Sequence, residues 1–559
     1  MRHPVSDAHP EGRHREQTGG DGRAMAGPDP VRRGRTEPGP ARPVTATLPR
    51  SRTPRPAPGA ADPLRRLRRL GLAASLMTAG AALGAGALPV PNPLLGLRLI
   101  GLPSRNVTLA LALAYAGVGL LVLAWLAVAR TLWHPAGEAV TRAQLARTAC
   151  TWAVPLAVVP PLFSRDVYSY LAQGVMVARG LDPYVLGPAT ALGIDDPLVR
   201  SIPTMWRDTP TPYGPLFLLL ERGVTAVTGD DIALGVLLHR GAALAGVAAM
   251  VWALPRLAAR RGVDGRRALW LGVANPLVLV HVISGAHNDG LMVGLFLVGL
   301  ELGLSAGPRM LDARFLGGAA SIVCASAIKL PALLVLGFLG VSCARQRGAG
   351  PRAVAVVAGV LAAVVVAVLV PLSWPLVDGW GWVSTLTVPG SAIAWMSPTT
   401  DLGLLGGLLG VVAGLGDHTT AVLALTRGTG LAAAAVCCTV LLVATLRGRL
   451  DPVTGTAAGL AAVVVLGPVV QPWYLLWIVV PLAATAATRR RAVLLAVSGC
   501  LAVLAVPTGS DFFFHGYQLP LAVAGAAVVL AAALVPLWRP PRWPARVSRA
   551  GPPPTRSAG

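Results

Sequence analysis

The sequence predicts an all-α, polytopic membrane protein on three observations. Of its 559 residues, 54% are hydrophobic and 13% charged, with a mean hydropathy of +0.62. Apolar runs of roughly 15 to 22 residues recur between positions 70 and 537, close to the ~20 helical residues that cross a bilayer core. The net charge of +23 comes from arginines crowded into the tails and a few short loops, the distribution that orients basic loops inward. Backbone groups in lipid must be paired within their own segment, which favours helices. The runs also lack the alternating polarity of barrel strands. Charge spread in this way argues against a nucleic-acid partner.

Residues 1–69 are rich in Arg, Pro and Gly and poor in large apolar side chains, so they are expected to be a disordered basic cytoplasmic tail. No signal peptide is read there, because the first apolar run begins near residue 70, after RRLRRL. Arg65–Arg69 keeps the N-terminus inside; run 70–88 goes out, 107–129 returns to Arg130 and Arg142, and 144–163 goes out again. Run 215–228 is short, carries Glu221 and Arg222, and reads as a surface or re-entrant helix. Run 232–254 returns to the basic loop RLAARRGVDGRR (256–267). Runs 268–284 and 290–306 go out and back, and 315–328 with 331–344 form a second pair. Run 352–373 goes out, 400–416 is short or re-entrant, and 429–446 returns to Arg447 and Arg449. Runs 455–470, 474–487, 491–507 and 519–537 complete a membrane domain of 70–537, followed by a disordered cytoplasmic tail, 538–559. The expectation is about 13–14 transmembrane helices in a multi-pass protein of the cell membrane. The six cysteines (150, 324, 343, 437, 438, 500) lack metal-ligand spacing, and most lie in apolar runs, so neither disulfides nor a metal site is read.

That parity gathers the polar motifs on the outer face: SRDVYSY (164–170), LDPYVLGP (181–188), TPTPYGP (209–215), HND (287–289), Lys329, loop 375–400, QPWY (471–474) and SDFFFHGY (510–517). A carboxylate at a membrane mouth is a functional candidate by default, and Asp166 reads as a general base; its bland alternative is a helix cap. Tyr168, Tyr170 and Tyr213, with Trp395, Trp473 and Tyr474, suit a sugar, whose faces stack on rings and whose hydroxyls need partners. The alternative for QPWYLLW is the aromatic belt of a membrane interface. His287, Asn288 and Asp289 stand together where hydroxyls or a phosphate could bind, or where a polar turn simply closes at Gly290. Lys329 is the single lysine of the chain. Its flanking runs of about 14 residues cover roughly 21 Å, short of the ~30 Å core, so its turn is expected to sit in a sunken mouth. A buried cation there calls for an anion, and a lipid phosphate is the expected one; a snorkelling lysine is the alternative.

DVYSYLAQG (166–174), LDPYVLGP, TPTPYGPL, HNDGLMVGL, IKLPALL and QPWYLLW resemble the actinobacterial polyprenol-phosphate-mannose-dependent α-(1→6)-mannopyranosyltransferases, over roughly 160–480. The resemblance implies a GT-C-like membrane glycosyltransferase with an extracytoplasmic active-site mouth and no cofactor. It implies a polyprenyl-phosphate mannose donor and a mannan lipid-glycan acceptor of lipomannan and lipoarabinomannan. Its catalytic Asp falls on Asp166. Many GT-C enzymes carry two adjacent acidic residues there, whereas here Arg165 precedes a single Asp166. A polyprenyl phosphate leaves as a stable anion, so one base and one cation suffice, with Lys329 as the donor-phosphate ligand and Arg165 and His287 as helpers. A pentose (arabinofuranosyl) transferase or a lipid-linked sugar transporter would share the spans and the polar mouth.

Overall fold

Helix starts are encoded locally. Asp231, Asp264, Asp312, Ser397 and Asp451 each accept a hydrogen bond from a backbone N–H of the first turn they precede. Thr141 and Gln144 form a reciprocal capping box. Proline opens the helices at Pro215, Pro351, Pro398 and Pro452, where a missing N–H costs nothing. The computed structural model describes residues 62–134, 139–384, 388, 393, 396–485, 488–504 and 517–534, which form helices and connecting loops with no strand among them. They all fall in one unit, Gly59–Gly559.

Among the described residues, four helices are long and apolar enough to cross a membrane, Val107–Trp133, Ile232–Arg260, Pro351–Ser373 and Thr419–Leu446, and the bent pair Val278–Ser284 with Asp289–Ser305 would make a fifth. Seven shorter apolar helices accompany them, among them Ala313–Ser326, Pro398–Val412 and Pro452–Leu466. The apolar surfaces of Pro351–Ser373 and Thr419–Leu446 point largely outward, as at Val366, Leu425 and Val436. That is the arrangement of helices solvated by lipid. The first helix, Arg65–Ala85, starts five residues before the expected boundary at 70. Arg68 anchors it there, paired with Asp62 at 2.7 Å and bonded to Thr148. The rest of the expected N-terminal tail, the C-terminal tail, and most of SDFFFHGY lie outside the described residues.

The run 268–284 is not one helix. It divides into Gly265–Gly272 and a wide-turn π segment, Val278–Ser284, separated by Asn275 and Pro276. Proline has no N–H to continue the ladder, and the Asn275 side chain instead accepts from the Leu277 N–H. The π segment then meets Asp289–Ser305 at a bend of 108°. Arg240 ties this bend down. Buried to 1% exposure, its guanidinium donates to the carbonyls of Ile283, Ser284, Ala157 and Val159 at 2.8–3.0 Å. The helices that frame the bend approach at backbone contact: a Cβ at Gly294 would lie 2.4 Å from the Gly246 carbonyl oxygen, the close packing that small residues permit between membrane helices. Further off, Trp125 and Trp270 stack at 4.7 Å and exchange indole N–H bonds with each other's carbonyls.

Arg240→Met should therefore lower stability by roughly 3 kcal/mol or more, since charged hydrogen bonds are lost and buried carbonyls are left unpaired. Thermal unfolding in detergent checks this. Arg240→Lys should recover only part, because an ammonium cannot reproduce the guanidinium fork.

Candidate active site

Asp166 opens the Asp166–Ala178 helix, where its backbone N–H donates to the Ser164 hydroxyl at 3.1 Å. Its side chain, 19% exposed, enters a cavity of about 360 Å³. Ser169 and Gln173 line the same cavity from three and seven residues further on, one stripe of the helix. Burial pushes the Asp166 carboxyl up to about 6 from its ordinary 3.8, while Lys329 and the Ser164 hydroxyl pull it back down. Behind it lies His287, fully buried, with Nδ1 3.6 Å from the carboxylate. Ala286, at φ +55°, turns the chain so that the imidazole stacks on Trp473 at 3.9 Å.

Lys329 forms the opposite feature of the wall. Its Nζ donates to Asp289 Oδ2 at 2.8 Å, and the other oxygen of Asp289 accepts from the Trp477 indole at 2.8 Å. Three rings, Tyr213, Tyr474 and Trp477, stand 5.1–5.9 Å from the ammonium, within cation–π range. The anion that a sunken lysine calls for is thus supplied by the protein itself, by a carboxylate with no exposure. Lys329 keeps 12% exposure and still faces the cavity. The TPTPYGP loop sits on the lysine's turn because the Gly214 and Leu216 N–H groups donate to the Ile328 and Ala327 carbonyls. A Cβ at Gly214 would lie 2.5 Å from the Ala327 carbonyl oxygen, so glycine is required for that contact. The far wall is apolar, with Leu431, Val463 and Val464 beside Gly467 and Pro468.

Of the residues singled out from sequence, Asp166, Lys329, Tyr213, Trp473 and Tyr474 line the cavity. His287 and Asp289 stand directly behind two of them. Tyr168 faces elsewhere, its hydroxyl donating to the Ala87 carbonyl. Tyr170 is buried edge-on against Tyr213 and Phe217. Arg165 donates to the carbonyls of Leu88 and Ser201, pinning the outer loops. Asn288 is buried and lies off the cavity wall, and Trp395 falls outside the described residues. Sequence reasoning did not single out Gln173; Ser169 was read only as a hydroxyl in SRDVYSY, and Gln471 and Trp477 only as members of QPWYLLW. Trp477 was legible as the residue one helical turn from Trp473.

A carboxylate that can take a proton, a fixed cation, stacking rings and an apolar flank in one cavity suit group transfer from a lipid-linked sugar. The comparisons agree on the class. The description "alpha-(1→6)-mannopyranosyltransferase, N-terminal domain" matches residues 68–345, and "MptB C-terminal domain" matches 399–535. A probable α-(1→6)-mannopyranosyltransferase of Mycolicibacterium smegmatis is 42% identical, over 86% of this chain and 91% of its own. An α-(1→6)-mannopyranosyltransferase of Mycobacterium tuberculosis is 40% identical, over 84% and 86%. The α-(1→6)-mannopyranosyltransferase B of Corynebacterium glutamicum is 40% identical, over 75% and 73%. No solved structure matches. The chain is therefore a membrane glycosyltransferase. It belongs to the α-(1→6)-mannopyranosyltransferase family.

Removing Lys329 alone leaves Asp289 buried and uncompensated, which costs roughly 3–5 kcal/mol. Lys329→Met should thus melt at a lower temperature than wild type. Adding Asp289→Asn should restore much of the loss. Equal melting of wild type and the single variant would show that the pair does not hold the wall.

Proposed function

We propose that this chain moves mannose from polyprenyl-phosphate mannose to a growing α-(1→6)-mannan acceptor of lipomannan or lipoarabinomannan. Transfer takes place at an extracytoplasmic mouth, in a GT-C-like fold of about 13–14 spans. The observation that carries the reading is that Asp166 and Lys329 face one cavity, lined also by Ser169, Gln173 and aromatic rings and flanked on one side by apolar residues. The acceptor hydroxyl gives its proton to Asp166 as its oxygen bonds to C1 of mannose. The bond from C1 to the phosphate oxygen breaks, and polyprenyl phosphate departs as an anion. A glycosidase needs an acid for its alkoxide leaving group; a phosphate needs a cation instead, and Lys329 supplies it. Attack opposite the leaving group inverts a β-linked donor to an α-linked product. Tyr213, Trp473 and Tyr474 offer ring faces to the sugars, and Leu431, Val463 and Val464 offer an apolar bed for the first isoprenes. His287 backs the Asp166 carboxylate from the protein side, 3.6 Å away. The names of the relatives support the sugar and the linkage.

Purified enzyme given radiolabelled polyprenyl-phosphate mannose and a short α-linked dimannoside should yield an α-(1→6) trisaccharide. Transfer from a polyprenyl-phosphate arabinose donor, with none from the mannose donor, would overturn the reading.

Asp166→Asn should cut turnover about 10²- to 10⁴-fold, the usual share of a general base, without lowering the melting temperature. The base must be ionised to act, and the Asp166 carboxyl is raised to about 6. Activity should therefore rise with pH through an acidic limb near 6 and be lost below it. A limb near the ordinary carboxylate value of about 4 would show that another group titrates.

A further inference from the structure

The far end of the bundle holds a second polar cavity, of about 190 Å³. The Ile232–Arg260 helix runs from Arg240, beside the catalytic bend, to this end, roughly 20 residues or about 30 Å away at 1.5 Å per residue. Trp133, Val263, Asp264, Arg267, Leu271 and Arg491 line it. Arg491 lies 4.0 Å from the Trp133 ring centroid and Arg267 lies 5.1 Å from it. Two guanidiniums thus share one indole and repel each other.

Other arginines at this end have carboxylates: Arg260 pairs with Glu301 at 2.7 Å, Arg261 with Asp451 at 3.3 Å, and Arg266 with Asp264 at 2.8 Å. Among the described residues, neither Arg267 nor Arg491 makes an ion pair of that kind. Arg266 grips the one carboxylate in the cavity wall through both its oxygens. Arg267 has one long bond to the Leu132 carbonyl, at 3.5 Å, and its buried Nε has no partner. Two paired positive charges at a cavity mouth, with a donor left over, are stabilised by an anion that bridges them. Guanidinium forks match phosphate oxygens in planar, two-point fashion. The flanking Leu271, Val263 and Ala483 are apolar, and basic pockets between membrane helices on the cytoplasmic side are lipid-headgroup sites.

We propose that Arg267 and Arg491 bind a phosphate group in this cavity, and that an anionic phospholipid of the membrane carries it. The site is distinct from the catalytic cavity and rests on the membrane placement of the helices, not on the identity of the sugar.

The full-length enzyme, purified in mild detergent, is titrated with phosphatidylglycerol or phosphatidylcholine and followed by native mass spectrometry. A parallel arm measures thermal stabilisation by inorganic phosphate. Wild type should retain phosphatidylglycerol over phosphatidylcholine. R267Q and R491Q should each weaken retention about fivefold, the contribution of one basic residue at a membrane surface, and R267K with R491K should keep most of it. Sugar transfer in detergent should stay at the wild-type rate in every variant, which separates this site from the catalytic reading and reports correct folding. Stabilisation by inorganic phosphate, lost in R267Q/R491Q, without selective lipid retention would assign the phosphate to a soluble molecule and overturn the lipid source. Equal lipid retention by wild type and R267Q/R491Q, with no phosphate effect, would overturn the site altogether.

Discussion

The pair between Lys329 and Asp289 is the interaction on which the site depends. It joins the turn before Leu333–Gln346 to the first residue of Asp289–Ser305, forty residues apart in sequence. Trp477 closes the other side of the same carboxylate and so brings in a third segment. A buried ion pair stabilises a fold only weakly, because desolvation offsets most of the attraction. Its value here is positional. The ammonium is fixed by the carboxylate behind it and by three rings that line the cavity around it, yet it still faces the cavity.

This arrangement also explains the placement of Asp166. Its carboxylate opens into the same cavity as the cation without being consumed by it, since Lys329 is already paired. A base neutralised by a direct salt bridge would be a poor proton acceptor. In the proposed reaction Asp166 stays buried with the cation nearby, and that burial raises its carboxyl to about 6, toward the range in which a general base works. The bend at Pro276 to His287 serves the same end: it delivers His287 to the back of Asp166 and Asp289 to Lys329 from one irregular segment, which Arg240 then fixes.

Sequence made much of this legible, and its misses have physical causes. A single lysine in a short helical turn was readable as an embedded cation, but its partner was not, because the Asp289 contact is tertiary. Asp289 read as a hydroxyl ligand for that reason. Tyr168 was named because it neighbours Asp166, yet two positions along a helix point to opposite sides, and it faces the Ala87 loop. Ser169 was read only as a hydroxyl neighbour of Asp166, and Gln173, one turn further along the same stripe, went unremarked. The Asn275–Pro276 step was a visible stop signal inside a run whose hydropathy alone looked continuous. Hydropathy reports burial in lipid or protein equally well, so it marks apolar segments without saying which are straight.

The most direct test of the account is an electron cryo-microscopy structure of the D166N variant in lipid nanodiscs with polyprenyl-phosphate mannose bound. The account predicts the donor phosphate within hydrogen-bond reach of the Lys329 ammonium. The sugar should lie between the rings of Tyr213 and Tyr474, with C1 open to the side of position 166, and the isoprenes should run along Leu431 and Val463. A phosphate lodged against Arg165, with Lys329 still closed on Asp289 and out of contact, would contradict it.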